Sequence, residues 1–161
     1  MTVHRISSGS PFEPSIGFSR AVRFGDRVLV SGTGPVRPDG SCPADAAAQA
    51  RRCFEIIAAA LAPAGAALAD IVRTRMYLTD VTAADAVGAV HGELFGGAGP
   101  AATMVVVAGL LDPRWVVEIE AEAWLPPDRP APDRPAADRP ATAETSSGQE
   151  PPAGRTTAAV P

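Results

Sequence analysis

The chain has 161 residues, 46% of them hydrophobic, enough for one domain with a real core. Its formal net charge is −4, and all 14 basic residues are arginines scattered along the chain, which argues against a nucleic-acid partner. No apolar run approaches the roughly 20 residues that span a bilayer, and positions 1–9 lack the apolar stretch of a signal peptide. A cytoplasmic protein with no membrane partner is expected.

The two cysteines, Cys42 and Cys53, sit around a predicted helix and are expected to be reduced thiols. A zinc site would need more ligands, and His4 and His91 are distant in sequence, so no metal is expected.

The first strand signals are two short β runs, Ala21–Phe24 and 27–31, joined by Gly25-Asp26, a pair that suits a tight hairpin. Ser31 to Pro35 forms a loop. A helix follows over 44–62. Pro43 fits its first turn, Asp45 suits the positive end of the helix dipole, and Ala46, Ala50, Cys53, Phe54, Ile57 and Leu61 form one apolar stripe. Pro63 and Gly65 end it. Ile71–Leu78 reads as a strand. Thr82, with Asp85 three residues on, has the form of a capping box and opens a second helix. Its stripe is Ala83, Val87, Val90 and Leu94, and Gly96-Gly97 stops it. Strands over 103–108 and 116–124 complete the order ββαβαββ. From Pro126 the chain runs through PDRPA, PDRPA and ADRPA into a Thr/Ser/Gly/Pro stretch. Residues 1–125 therefore read as one α/β domain, and 126–161 as a disordered, solvated tail.

Strand periodicity assigns faces. In the last strand Val117, Ile119, Ala121 and Ala123 share one side, and Glu118, Glu120 and Glu122 the other. In the third, Val72, Thr74, Met76 and Leu78 oppose Arg73, Arg75 and Tyr77. The apolar sides must meet the helices. The opposite sheet face then needs cover, so a homo-oligomer is expected.

Each glutamate is either a solvated side chain or, at a buried subunit boundary, a candidate base or water-orienting group. The arginines either pair with glutamates across subunits or, at Arg73 or Arg75, hold an anionic ligand. His91 borders the buried stripe of the second helix, where a packing role is the plainer reading. Gly32 and Gly34 are too few for a phosphate loop.

Ile16-Gly17, Val30-Ser31-Gly32, Pro43-Ala44-Asp45 with Gln49-Ala50-Arg51, Asp70-Ile71-Val72-Arg73-Thr74, Pro100-Ala101 and Val117-Glu118-Ile119-Glu120-Ala121 together resemble the Rid family, also called the YjgF family. The resemblance covers 16–123. It implies a chorismate-mutase-like fold, with one sheet and two helices packed on one of its faces. It also implies a homotrimer with ligand clefts between subunits, and no cofactor. In family deaminases an arginine after the Pro-Ala pair binds the substrate carboxylate, and a glutamate on the last strand orients the water that hydrolyses an imine. Glu120 matches that glutamate, and Gly32 the glycine beside the cleft. Ala102 stands where the arginine would be, Met104 where a cysteine is common, and Phe18-Ser19 where an aromatic follows the Ile-Gly start. Losing a bidentate arginine–carboxylate contact costs on the order of 2–4 kcal/mol of binding. The resemblance is therefore to arginine-lacking branches.

The expected function is action on a small imine, enamine or related carbonyl metabolite, with Glu120 handling water or a proton. Gly32, Thr103, Arg75, Ser19, Ala102, Met104 and His91 are the candidates for substrate binding. The alternative is a non-catalytic trimer that binds a small metabolite. An RNA-directed activity fits an acidic chain without lysine least.

Overall fold

The structure is a computed structural model that describes residues 2–126. The tail expected at 126–161 lies, beyond Pro126, outside the described residues. Six strands form one sheet: β1 (Val3–Ile6), β2 (Ala21–Phe24), β3 (Arg27–Thr33), β4 (Ile71–Leu78), β5 (Ala101–Val106) and β6 (Val117–Trp124). Their order across the sheet is β1-β2-β3-β6-β4-β5. Only β4 and β5 pair in parallel. The helices are α1 (Phe12–Ile16), α2 (Ala46–Leu61) and α3 (Ala84–Phe95). Both β3 and β4 run antiparallel to β6, so the β3–α2–β4 crossover joins two strands of the same sense with β6 inserted between them.

The expected ββαβαββ core is present, preceded by two elements the periodicity does not reveal. β1 has four residues and exists through its pairing with β2, a tertiary contact with no local signal. α1 has five residues and holds Pro14 in its first turn, where a missing amide breaks no helical bond. Helix starts also move. The Asp45 side chain accepts from the Ala48 amide at 2.8 Å and caps α2, so Ala46 and not position 44 begins it. Thr82 does not cap the second helix. Asp80 accepts from the Thr82 amide and opens a 3-10 turn, Val81–Ala83, that feeds α3.

α2 and α3 cover one sheet face. Cys53, Phe54, Ile57, Leu61, Val87 and Val90 meet Val28, Val30, Met76, Leu78, Val117 and Ile119, all buried. Full burial stabilises such side chains by about 1.5–3 kcal/mol each. Two expected stripe residues fall outside this core. A register shift between Ile71 and Arg73 turns Val72 outward, 47% exposed, and puts Ile71 in its place. Phe95, T-stacked on Phe54, displaces Leu94 as the last buried residue of α3. Among the described residues, no helix is long and apolar enough to cross a membrane.

Gln49 ties α2 to the loop that launches β6. Its Nε2 donates to the carbonyls of Pro43 and Arg114, both at 2.9 Å, and its Oε1 accepts from the Val116 amide at 2.8 Å. The side chain is 1% exposed, so water cannot replace these bonds. Gln49→Leu keeps the volume and strands the loop's polar groups. It should lower stability by about 2–3 kcal/mol in urea unfolding.

Candidate active site on the open sheet face

β6 delivers its side chains alternately, as the periodicity implies: Val117, Ile119, Ala121 and Ala123 are buried against the helices, and Glu118, Glu120 and Glu122 face away. The three carboxylates occupy different surroundings. Arg75 lies opposite Glu120 on β4, and its Nη1 reaches Glu120 Oε2 at 3.3 Å and Glu122 Oε1 at 2.9 Å. Arg73 Nε adds a longer contact to Glu122, at 3.8 Å. Arginines and glutamates thus pair within one chain, where pairing across subunits was the sequence expectation. The side chains of Arg75 and Glu120 are each 36% exposed, and the guanidinium charge is met by two carboxylates.

Glu118 sits elsewhere. The β3–β6 register shifts between Val30 and Thr33, where Ser31 and Gly32 together face the single residue Glu120. This β-bulge aims Gly32 at the neighbouring carboxylate. A Cβ at position 32 would overlap Glu118 Oε1, so the side chain lies directly over a bare stretch of backbone. The same close approach recurs one step on. A Cβ at Gly34 would come within 2.5 Å of the Trp115 ring. Half-buried, Glu118 has its carboxyl pushed above the usual carboxylate range, first by burial and then by the charge of Glu120, with Arg20 opposing. Tyr77, across from it on β4, is raised by its own burial and by Glu120. Burial also pushes up the Cys53 thiol below, with Glu118 adding to the effect.

Arg20 enters from the segment before β2. Its Nη1 donates to the Gly32 carbonyl at 2.9 Å and to Thr33 Oγ1 at 3.3 Å, and its Cζ lies 5.5 Å from the centre of the Phe18 ring. The backbones interlock here as well. The Ser31 amide donates to the Arg20 carbonyl at 3.0 Å, and the Ser31 hydroxyl to the Ser19 carbonyl at 2.8 Å.

The candidate residues therefore divide. Thr103 lies beside Arg75 on β5, and with Glu120 they make one row across the open face. Gly32 belongs with Glu118, and Ser19 acts on it through backbone bonding. Ala102 and Met104 lie beside Thr74 and Met76, on the helix side of the edge strand, where Met104 packs partly against the core. His91 is on that side too, packed against Phe54 and Phe95, with its Nε2 2.9 Å from Thr74 Oγ1. Arg20 and Trp115 were not singled out from the sequence, and Glu118 was only one of three candidate glutamates. The available signal was Gly32 itself, since a glycine inside a strand pattern marks a bulge or a close approach.

Residues 9–125 match the family model described as Endoribonuclease L-PSP. An uncharacterized protein of Streptomyces coelicolor, SCO2049, is 41% identical over 123 residues, 76% of this chain and 92% of that protein. The 2-iminobutanoate/2-iminopropanoate deaminase of Escherichia coli K12 is 36% identical over 111 residues, 66% of this chain and 85% of that protein. The crystal structure of Rv2704 from Mycobacterium tuberculosis, a member of the YjgF/YER057c/UK114 family, matches with a TM-score of 0.71 at 45% identity. It covers 77% of this chain and 100% of that one. The chain belongs to the YjgF (Rid) family, whose members carry names both as imine deaminases and as endoribonucleases.

Burial holds the His91 imidazole below its usual range, so the folded protein keeps it neutral. The unfolded chain takes up a proton there first as the pH falls. This contribution to stability is complete above about pH 6.5 and is lost as pH drops below it. Thermal melts between pH 7 and 5 should show the loss, and His91→Gln, uncharged throughout, should flatten that part of the slope.

Proposed function

We propose that the protein is an imine- or enamine-hydrolysing enzyme acting as a homotrimer. Its cleft lies where a neighbouring copy covers the open sheet face, and Glu118 rather than Glu120 is the carboxylate that handles water. The carrying observation is the apposition of Glu118 and Gly32. Of the three part-buried carboxylates it leaves one lifted in pKa and, among the described residues, without a salt bridge to an arginine, while Glu120 is held by Arg75. A general base works best when its pKa is drawn toward the working pH, and desolvation moves a glutamate in that direction. The deaminase name of the Escherichia coli relative supports the reaction class. The open face supports assembly: Leu29 is 41% exposed, Val105 43% and Trp124 46%, a set that a partner subunit would bury.

In this mechanism the Glu118 carboxylate takes a proton from water as the water oxygen adds to the imine carbon. The C=N electron pair moves to nitrogen, which takes that proton from Glu118 to give the carbinolamine. Glu118 then removes the hydroxyl proton and passes it to the nitrogen as the C=O bond forms and the C–N bond breaks, so a carbonyl compound and ammonia leave. Thr103 and the backbone around Gly32 are the polar groups available to orient the substrate. Ala102 carries only a methyl group on the far side of β5, so this chain does not use the family arginine.

The test compares two isosteric variants with a freshly generated small imine. Glu118→Gln should lower kcat by about 10²–10⁴-fold, while Glu120→Gln keeps most of the activity. Glu118→Gln should also raise Tm, because the folded state disfavours the charged carboxyl that the variant removes. Loss of activity in the Glu120 variant with retention in the Glu118 variant would reverse the assignment. Ligand-induced thermal stabilisation without turnover in the wild type would make the protein a binding module instead.

A further inference from the structure

We infer that Arg20 is a positioning residue for Glu118: it locks the β3 bulge that exposes Gly32 to the carboxylate and sets a positive charge beside that bulge. This rests on the reading of Glu118 as the group that handles water.

The geometry has two parts. One guanidinium nitrogen is committed to the bulge, donating to the Gly32 carbonyl and to Thr33 Oγ1, while the Arg20 carbonyl accepts from Ser31. Three consecutive residues, 31 to 33, are thus bound to one arginine. They are the stretch whose register departs from the β6 ladder. Without such bonds a bulge next to a glycine has little to hold its shape. The second part is charge. Among the described residues Arg20 makes no salt bridge within 4.0 Å to a carboxylate, whereas Arg75 contacts two; its charge also acts on the buried Glu13 carboxyl, which it helps to hold below the usual range. Its Nε is buried without a hydrogen-bond partner among the described residues.

Groups face Glu118 from every neighbouring element. Glu120 on its own strand opposes ionisation, and Arg20, before β2, favours it. Tyr77 on β4 lies opposite, with Arg75 beyond it tied to Glu120 and Glu122. The Cys53 thiol on α2 is kept neutral by burial. β3 contributes only the bare backbone at Gly32. Arg20 is the cation in this set that acts on Glu118, and it shares its charge with the Glu13 carboxylate.

The experiment follows Glu118 in two ways, by its side-chain carboxyl 13C titration and by the pH–rate profile of imine hydrolysis. The proteins are the wild type, Arg20→Gln and Arg20→Lys. In Arg20→Gln the Glu118 titration and the acid limb of the profile should both move up by about one pH unit. Arg20→Lys keeps the charge and should titrate like the wild type, with a lower kcat from the loosened bulge. A Gln variant that titrates like the wild type overturns the assignment. Should Arg20→Gln fail to fold, the Lys variant decides alone, and an upward shift of about one unit in it overturns the assignment. A wild type that hydrolyses no imine, but whose Glu118 titration still follows Arg20, refutes the hydrolase reading and leaves this one standing.

Discussion

The proposed function depends on the contact between the Glu118 carboxylate and the unadorned backbone at Gly32. A strand residue normally shows its neighbours a Cβ, which keeps cross-strand side chains apart. Here a bulge rotates a glycine into that position, and the carboxylate settles into the space. Burial there disfavours the ionised form. Everything proposed about catalysis depends on this one steric permission.

The two sheet faces serve separate ends. The helix side is a close-packed core in which the only imidazole of α3 is wedged between two phenylalanines and bonded to a buried threonine. The open side alternates arginines and glutamates across β4 and β6 in a register that neutralises most of them pairwise. Exposed ion pairs of this kind contribute little to stability. Their consequence is one of distribution: Glu120 and Glu122 contact arginines, and among the described residues Glu118 makes no such ion pair. Gln49 links the two sides, because the loop it holds ends at the start of β6 and so sets where that strand begins to alternate.

Much of this was readable from residue order. The alternation of β6, the apolar stripe of α2 and the family motifs all lie in local patterns, and they led to the fold class, the two long helices and the division of β6 into a buried and an open side. What could not be read depends on contacts between distant segments. β1 exists only through β2. Val72 turns outward because of a slip against β6, which period-two counting cannot register. The different surroundings of Glu118 and Glu120 are of the same kind. Both have identical periodicity and similar neighbours in sequence, and what distinguishes them is the bulge in β3, eighty-odd positions upstream, and the contact of Arg75 with Glu120. Arg20 is invisible for a related reason, since its partners are backbone atoms of another strand.

The central claim is that a small substrate meets the protein at Glu118, over Gly32, under the cover of a second copy of the chain. A crystal structure of the assembled protein soaked with a small ketone or 2-oxo acid tests it most directly. The expected result is a carbonyl oxygen within hydrogen-bond distance of Glu118, enclosed by β3 on one side and a neighbouring subunit on the other. A ligand bound elsewhere, with Glu118 open to bulk water and no subunit near it, would contradict the claim.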